Sequence, residues 1–550
     1  MKIKRKIRSI VLFTFCTLII TVTQAQSLES SIDKILTSQF NNNETGVSAL
    51  VAKNGKVIYR KAFGKANLEL DVNMTPKNVF QVGSITKQFT AVGILMLLEE
   101  GKLSLEDDIT KFIPDYPTNE KKITVHHLLT HTSGIKSYTS MQKFSKVMTV
   151  DKSPLKFINF FKNEPMDFEP GEKYKYNNSG YFILGYIIEK ASGMSYQKFI
   201  QERIFDKINM TSSYYGSHRQ LIKNRASGYQ KRGEFSNAQY ISLKLPYAAG
   251  SIMSTVDDML KWQNAISTNV FVKKETLNKA YTNYTLNNGD NINYGYGWSI
   301  NEINDVQTIE HGGAIPGYLS MGVYVPSKNI YVIVFSNCGC KSPTNSALEI
   351  AALAMDKPKF KEGNDIQLST EQLKKWTGAY QFDNDVVRYI TFKNNQLYSK
   401  REGSGEAFEI YPTSKNTFVF KEGFISYNFS TKNGKKVALF KNRINKVKGV
   451  FVNKKPSKEK KIIKVESNVL KSYEGVYELQ PGFNLTIESK EGKLYAQATG
   501  QSQFELFAES EAKFFLKVVK ASVEFYKNEK GEVNALTLFQ GGRAMKAKKK

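Results

Sequence analysis

Short apolar runs separated by polar turn residues predict strands at both ends of the first two thirds of the chain. The stretch "GVSALVAKNGKVIYRKAFGKAN" places two such segments around Asn54-Gly55, a dipeptide typical of β-hairpin turns. Further along, "MGVYVPSKNIYVIVFSN" gives two more apolar strands joined by a short polar turn. Strands at both ends with helical patterns between them predict an α/β (α+β) fold. In such a fold one antiparallel sheet brings its first and last strands together and is covered by helices.

The most regular helical pattern begins near Ser84. In "FTAVGILMLLEEGKL" the residues Phe89, Val92 and Leu95 recur at helical spacing, and Gly101 follows them as a C-terminal cap. We expect this helix to belong to one large mixed unit that spans residues 27–360.

After about residue 365 the pattern changes to short strands separated by turn residues. "LKKWTGAYQFDNDVVRYITFKNNQLYSK" resembles "LKSYEGVYELQPGFNLTIESKEGKLYAQ" in the order leucine, aromatic, glycine, tyrosine, strand, turn and Leu-Tyr. This internal repeat predicts two small β-barrel-like or curved-sheet modules, at residues 366–455 and 466–550. The lysine-rich stretch "NKKPSKEKK" between them is expected to be a linker or an exposed loop.

The first 25 residues are expected to lie outside the folded protein. Five basic residues precede an apolar run over about residues 10–22, and the small-residue end Thr23-Gln24-Ala25 follows. This is the three-part pattern of a secretory signal peptide, cleaved after Ala25. The run is shorter than the about 20 residues of a spanning helix, and no second long run follows. The sequence therefore predicts an exported protein, periplasmic or secreted, with no stable membrane span after cleavage.

The net charge of the chain excludes few classes of function. The formal net charge is +27, and loss of the five basic residues of the signal segment leaves +27 − 5 = +22, spread along the chain. Export and the lack of a recognition motif argue against nucleic acid as a partner. We interpret the surplus as a solvated basic surface, with affinity for anionic envelope polymers as the alternative.

The mature chain contains two cysteines, Cys338 and Cys340. A disulfide between positions two apart is expected to be strained, and two thiols alone make an incomplete zinc site. We therefore assign these cysteines no function.

Ser84 and Lys87 form a Ser-x-x-Lys pair at the start of the predicted helix. Positions three apart project from one helix face, with β-carbons about 5–6 Å apart. A lysine whose pKa is lowered by burial can accept the serine proton, and the helix N-terminus directs N–H groups toward developing negative charge. Taken alone, however, the pair is better explained as an N-cap serine followed by a solvated lysine.

Two further motifs favour a catalytic role for Ser84 and Lys87 instead. Tyr176-x-Asn178 precedes an apolar helical pattern, and His311-Gly312-Gly313 precedes the last strand pair. With its motifs in the order Ser-x-x-Lys, Tyr-x-Asn and basic-x-Gly, the sequence resembles the serine hydrolase family of class C β-lactamases and penicillin-binding-protein-like peptidases and esterases. The segments "ITVHHLLTHTSGI", "YAAGSIMSTVDDMLKW" and "YGYGWSI" also resemble parts of that family.

The resemblance covers about residues 30–355 and implies a β-lactamase/DD-peptidase-like fold with an all-helical subregion. It implies that Ser84 attacks a carbonyl to form an acyl-enzyme. Lys87 would act as general base or electrostatic partner, and Tyr176 would carry a second proton. This mechanism requires no metal and no cofactor.

The resemblance also implies how substrate is held. Asn178 would hold the substrate amide or orient Lys87, and the backbone N–H groups of Ser84 and Ala314 would form an oxyanion hole. Gly313 would let substrate backbone lie close against the strand edge.

His311 is a departure from the family pattern, since β-lactamases usually carry lysine there. A lysine is charged at neutral pH and pairs with a substrate carboxylate, whereas a histidine is only partly charged. We therefore expect less efficient β-lactam hydrolysis from this chain.

Other polar residues have simpler explanations. His126, His127 and His131 lie in what the resemblance identifies as a structural turn segment, so we do not expect a zinc site. Asp257 and Asp258 follow a Ser-Thr pair and are expected in the first turn of a helix.

The sequence thus predicts an exported serine hydrolase that acts on amide or ester carbonyls of a small-molecule or peptide substrate. Candidate substrates are, in order, D-amino-acid peptides such as peptidoglycan-derived ones, small esters and β-lactams. The rival hypotheses are a catalytically idle penicillin- or peptidoglycan-binding protein, and β modules that bind ligand in a lipocalin-like cavity.

Overall fold

The computed structural model describes residues 28–550, with gaps at residues 362, 364, 405, 422, 456–461, 481–482, 500–502 and 520. The expected signal segment, residues 1–25, lies outside the described residues, as does part of the lysine-rich stretch between the modules. The chain divides into two compact units, the first ending at Lys359 and the second beginning at Phe360. In the part of the chain that is described, no helix is both long and apolar enough to cross a bilayer.

Thirteen strands lie in the described part of the first unit. They are β1 (Val47–Lys53), β2 (Lys56–Phe63), β3 (Lys65–Asn67), β4 (Val72–Asn73), β5 (Phe80–Gln81), β6 (Tyr214–Tyr215), β7 (Tyr229–Arg232), β8 (Glu234–Asn237), β9 (Ile252–Ser254), β10 (Ser299–Ile303), β11 (Val306–Ile315), β12 (Tyr318–Val325) and β13 (Ile330–Ser336). Its helices are α1 (28–37), α2 (Thr86–Glu99), α3 (Val125–Leu129), α4 (Pro154–Phe161), α5 (Asn178–Ser192), α6 (Tyr196–Ile200), α7 (Val256–Ser267), α8 (Lys274–Ala280) and α9 (Thr344–Ala354).

One antiparallel sheet of six strands, in the order β10-β11-β12-β13-β1-β2, organises this unit. The first and last strands pair along their whole length, from Val47 opposite Ser336 to Lys53 opposite Ile330, which confirms the predicted fold class. Every residue of β13 is buried, so both faces of the sheet centre are covered. Helices α7 and α9 pack against β13, while α2 to α6 form the helical region.

Helix α2 begins two residues later than the sequence pattern predicts. Gly83–Ile85 forms a 3-10 turn, in which Gly83 has a φ of +55°, and the α-helix starts at Thr86. Ser84 therefore lies on a tight turn ahead of the helix. The other end agrees with the pattern, because Gly101 has a φ of +69° just after the last turn.

The second unit consists of two barrels. The first has α10 (Thr370–Lys374), β14 (Gly378–Phe382), β15 (Val387–Lys393), β16 (Gln396–Arg401), β17 (Ala407–Pro412), β18 (Thr417–Phe420), β19 (Ile425–Lys432), β20 (Lys435–Asn442) and β21 (Asn445–Val452). The second has α11 (Ser467–Ser472), β22 (Gly475–Gln480), β23 (Phe483–Lys490), β24 (Lys493–Ala498), β25 (Gln503–Ala508), β26 (Lys513–Phe515), β27 (Ala521–Lys527), β28 (Val533–Gln540) and β29 (Arg543–Lys549). Each closes on itself, with β14 paired to β21 and β22 paired to β29.

The repeated sequence motif has the same structural role in both barrels. The hydroxyl of Tyr380 donates to the Trp376 carbonyl at 2.8 Å, and the hydroxyl of Tyr477 donates to the Tyr473 carbonyl at 2.8 Å. Both bonds are buried and tie the first strand of a barrel to the short helix before it. The repeat therefore encodes a common attachment of the short helix to the first strand of each barrel.

Aromatic side chains fill the first barrel. Trp376 stacks on Phe429 with ring centroids 5.4 Å apart. Tyr427 also stacks on Phe429, again with centroids 5.4 Å apart. The core side chains there are less than 5% exposed. A packed interior of this kind counts against the alternative of a lipocalin-like ligand cavity in that barrel.

The cysteine pair differs from the sequence-based expectation, because Cys338 and Cys340 are joined by a disulfide. The backbone after β13 turns sharply enough to bring the two α-carbons within 5.1 Å of each other, inside the range a disulfide requires. The two cysteines thus cross-link the start of the loop between β13 and α9.

Replacing Tyr380 by phenylalanine should leave the Trp376 carbonyl buried without its partner. We expect a loss of about 1 kcal/mol in the opening free energy of peptides within residues 373–382, measured by hydrogen exchange. Tyr398→Phe is the control, because its hydroxyl donates to Glu409 at the exposed surface. Equal effects of the two substitutions would contradict the conclusion that the Tyr380 hydrogen bond holds the short helix against the first strand.

Candidate active site

The turn that carries Ser84 is anchored on both sides. Val82 donates its N–H to the Ile252 carbonyl at 3.0 Å, and the Ser320 hydroxyl donates to the Val82 carbonyl at 2.8 Å. The Thr86 hydroxyl accepts the N–H of Ile252 at 3.0 Å. Strands β9 and β12 thus hold the turn, so that Ser84 faces the cleft.

Lys87 lies one helical turn after Ser84 and is fully buried. Its Nζ is 3.1 Å from Ser84 Oγ, 2.8 Å from Asn178 Oδ1 and 2.8 Å from the Ala249 carbonyl oxygen. The ring centroids of Tyr176 and Tyr181 lie 4.8 and 5.4 Å from the same nitrogen. No carboxylate among the described residues forms an ion pair with Lys87.

This environment favours the neutral amine. Burial, with no compensating acid, holds the pKa of Lys87 well below its ordinary value. The amide oxygens of Asn178 and Ala249 can only accept, so they take the two N–H groups of a neutral amine. The remaining lone pair then points to the Ser84 hydroxyl, which can donate its proton to Lys87.

Tyr176 lines the same cleft as Ser84. Burial raises the pKa of its hydroxyl above the ordinary value, while its hydrogen bond with Ser84 acts in the opposite direction. The side chain is therefore a neutral phenol at ordinary pH and is better suited to donate or relay a proton than to act as a phenolate base.

Asn178 is the first residue of α5, and the helix fixes its side chain. Its Oδ1 accepts from Lys87, while its Nδ2 donates to Thr139 Oγ1 at 3.2 Å. Its backbone N–H donates to Ser137 Oγ at 3.3 Å. Of the two sequence-based alternatives, this geometry places Asn178 against Lys87.

Strand β11 forms the opposite wall of the cleft, and its contact with the nucleophile turn requires one glycine on each side. Strand β10 pairs only as far as Ser299 opposite Glu310, so residues 311–315 present an edge without a strand partner in the described part of the chain. A β-carbon on Gly313 would lie 2.0 Å from the Val82 carbonyl oxygen. A β-carbon on Gly83 would lie 2.8 Å from the Ala314 nitrogen. The nucleophile turn and β11 therefore meet backbone to backbone.

His311 is buried and uses both ring nitrogens within the protein. Its Nδ1 lies 2.6 Å from the Gly312 carbonyl, which can only accept, so Nδ1 carries the proton. Its Nε2 then accepts from the Tyr294 hydroxyl at 2.9 Å. Burial and the nearby Lys87 lower the pKa of His311 to about 3. His311 is thus neutral, and it offers no positive charge to a substrate.

These residues surround one cleft of about 390 Å³, a size that suits a small ligand. The lining residues, all of them described, are Ser84, Tyr176, His311, Gly312, Gly313, Ala314, Leu319, Ser320, Ser342 and Thr344. With His311 neutral, none of these side chains carries a formal charge. Ser342 and Thr344 lie just beyond the Cys338–Cys340 disulfide, at the end of the loop that it cross-links.

The structure brings all the sequence-predicted site residues together and adds others that the motifs did not identify. Ala249 contributes a backbone carbonyl, which leaves no signature in the sequence. Tyr294 and Ser320 hold His311 and the nucleophile turn from outside the three motifs. His131, expected in a structural turn, packs on Tyr176 with ring centroids 4.3 Å apart.

Comparisons with known proteins show which family the chain resembles. The family model described as "Beta-lactamase" matches residues 32–354, and a "Domain of unknown function (DUF3471)" matches residues 459–549. Penicillin-binding protein 4* of Bacillus subtilis (strain 168) is 28% identical over 420 residues, which cover 71% of this chain and 90% of that protein.

Two solved structures are also similar. An octameric penicillin-binding protein homologue from Pyrococcus abyssi has 28% identity and a TM-score of 0.53, over 77% of this chain and 99% of that chain. A D-amino acid amidase from Ochrobactrum anthropi SV3 has 26% identity and a TM-score of 0.51, over 59% of this chain and 99% of that chain.

A matched pair of glycine substitutions tests the contact between the nucleophile turn and β11. Gly313→Ala should displace the turn, because its β-carbon would overlap the Val82 carbonyl. We expect the rate of Ser84 labelling by a fluorophosphonate to fall by about 100-fold. Gly312→Ala is the control, since its β-carbon would have no neighbour closer than 3.4 Å. Similar labelling of the two variants would contradict this account of the contact.

Proposed function

Since the chain belongs to the Beta-lactamase family, whose model spans residues 32–354, we propose that it is an exported serine hydrolase that forms an acyl-enzyme at Ser84. The observation that carries the proposal is the environment of Lys87. The oxygens of Asn178 and Ala249 can only accept hydrogen bonds, so they take the two N–H groups of the neutral amine. The lone pair of Lys87 Nζ then faces Ser84 Oγ, which lies 3.1 Å away. A serine held against a neutral, buried amine is an activated nucleophile.

Acylation follows from this arrangement. Ser84 Oγ bonds to the substrate carbonyl carbon as its proton passes to Lys87, and the carbonyl oxygen becomes an oxyanion. The N–H groups of Ser84 and Ala314 stabilise that charge, and each such donor contributes about 3–4 kcal/mol in comparable sites. The bond to the leaving group then breaks, and the amine or alcohol takes a proton from the neutral Tyr176 hydroxyl, which regains one from Lys87.

Deacylation reverses the proton transfers. A water molecule gives its proton to the same Lys87–Tyr176 pair as its oxygen attacks the acyl carbon. The bond to Ser84 Oγ breaks, and the serine recovers its proton. The cycle releases one acid and one amine or alcohol and consumes one water.

The walls of the cleft favour an uncharged group next to the scissile bond. His311 is neutral, its two nitrogens are occupied by Gly312 and Tyr294, and the lining carries no formal charge. A substrate carboxylate would lose its water there without gaining a cation. We therefore favour amides and esters of D-amino acids over peptides that end in a free carboxylate. The similarity to a D-amino acid amidase supports the same substrate class.

An extended acyl portion of the substrate has a place to bind. Among the described residues, no strand pairs with the outer edge of residues 311–315 beside Ser84, where the substrate backbone can add as a short strand. Peptidoglycan-derived D-amino-acid peptides would fit this edge through their acyl side. The disulfide between Cys338 and Cys340 supports export, because such bonds persist in oxidising compartments.

Recognition of penicillin is the second candidate, supported by the similarity to penicillin-binding protein 4*. An intact-mass time course with benzylpenicillin and with D-alanine p-nitroanilide separates the two. We expect rapid turnover of the anilide without an accumulating adduct, and slow adduct formation with penicillin. Ser84→Ala should abolish both signals, by at least about 1,000-fold for turnover.

A persistent penicillin adduct without anilide turnover would instead favour a penicillin-binding peptidase. Folded wild-type protein that does not react with benzylpenicillin, with D-alanine p-nitroanilide or with a fluorophosphonate would support the hypothesis of a catalytically idle binding protein.

The pH dependence of kcat/KM should report Lys87. The amine acts in its unprotonated form, so activity should rise with pH through the pKa of Lys87 and then level off. Because burial lowers that pKa, the rise should lie well below the pH at which a free lysine, with a pKa of about 10.4, loses its proton. Since His311 remains neutral above a pKa of about 3, it should add no step near pH 6.5. Lys87→Arg should remove the rise together with the activity, and a rise that persists would exclude Lys87 as its source.

A further inference from the structure

His131 contacts the segment that carries Tyr176 at three points. Residues 173–177 have no regular secondary structure, so bonds to other segments must hold them. The His131 carbonyl accepts the N–H of Lys175 at 3.0 Å, and the His131 Nδ1 accepts the N–H of Asn177 at 3.0 Å. Tyr176 lies between these two bonded residues. The His131 ring also packs on the Tyr176 ring, with centroids 4.3 Å apart.

The backbone of His131 is shaped for this double contact. Its φ of +61° is unusual for a residue with a side chain. This conformation lets the carbonyl and the ring of a single residue face the same neighbouring segment. A regular helix continued through His131 would have directed its carbonyl along the helix axis instead.

The ring can bind Asn177 only in its neutral form with Nδ1 unprotonated. The proton then sits on Nε2, which is buried and has no hydrogen-bond partner in the described part of the chain. Burial and the proximity of Lys87 and His311 lower the pKa of His131 well below its ordinary value, which keeps this form dominant. The ring also packs on Tyr294, at 4.8 Å between centroids, and so links Tyr176 to the His311 wall.

We propose that His131 is a positioning residue that fixes the Tyr176 hydroxyl relative to Ser84. It acts through the backbone on both sides of Tyr176 and through the face of its ring. The inference rests on the proposed acyl-transfer function, because it concerns the residue that relays protons in that reaction. A shift of about 1 Å in such a group costs about 100-fold in rate.

Two substitutions separate the two kinds of contact. His131→Phe keeps a ring against Tyr176 but leaves the Asn177 N–H without its acceptor. His131→Asn keeps an acceptor near the position of Nδ1 but removes the ring. We expect the rate of Ser84 labelling by a fluorophosphonate to fall about 100-fold in His131→Phe and less in His131→Asn, while KM for a substrate changes little.

A pH profile distinguishes positioning from a general loss of stability. If Tyr176 moves, water reaches Lys87 and the desolvation that lowers its pKa is reduced. The rise of labelling rate with pH should therefore move to higher pH in His131→Phe. His127→Phe is the matched control, because His127 Nδ1 also accepts a backbone N–H, that of Thr124 at 3.2 Å, in the same segment. It should lower the melting temperature but leave the labelling rate and its pH profile unchanged.

The outcomes distinguish this inference from the proposed function. Wild-type protein that is labelled at Ser84 but hydrolyses no D-amino-acid amide or ester would overturn the proposed substrates and leave His131 testable by labelling. Normal labelling of both His131 variants, or equal losses in the His131 and His127 variants, would overturn the positioning role. If His131→Phe does not fold, His131→Asn decides by the same two readouts.

Discussion

Lys87 is buried between helices without a carboxylate, and the rest of the site depends on that burial. A charged ammonium there would need an acid partner, and no described carboxylate forms an ion pair with it. The site supplies two amide oxygens, which accept the two N–H groups of a neutral amine, and two tyrosine rings, which bring no formal charge. Activation of Ser84 is therefore a consequence of packing, because the same helices that bury Lys87 leave its lone pair facing the serine.

The second constraint is the close backbone contact between the nucleophile turn and β11. Ser84 and Ala314 can direct their N–H groups toward one oxyanion only if their chains approach within van der Waals distance. Gly83 and Gly313 permit this approach because neither has a β-carbon, and Ser320 holds Val82 in register. A β-carbon is therefore excluded at Gly83 and Gly313, whereas at Gly312 it would meet its nearest neighbour, the Ser320 carbonyl oxygen, at 3.4 Å.

The sequence predicts the fold, and it points to the motif residues that the structure brings together, because both rest on local patterns. Apolar runs mark β1 and β13, and the three motifs point to Ser84, Lys87, Tyr176, Asn178 and His311. Contacts made by backbone atoms or by distant segments leave no such pattern. The Ala249 carbonyl, the 3-10 turn at Ser84 and the Cys338–Cys340 disulfide all depend on how the chain turns in three dimensions. His131 lies in a segment that the resemblance identifies as a structural turn, but its φ and its partners cannot be inferred from residue type.

Three nitrogen bases, in Lys87, His131 and His311, lie close together in this site, and all three are neutral for related reasons. Burial disfavours each charged form, and a proton on Lys87 or His311 would further disfavour one on His131. The hydrogen bonds then assign opposite tautomers to the two histidines, since His131 accepts at Nδ1 whereas His311 donates from Nδ1. In an uncharged site of this kind, one of the bases gains an additional proton, and with it a positive charge, only during the reaction. That proton comes from Ser84 or from water, so positive charge appears in the cleft at the same stage as the negative charge of the oxyanion.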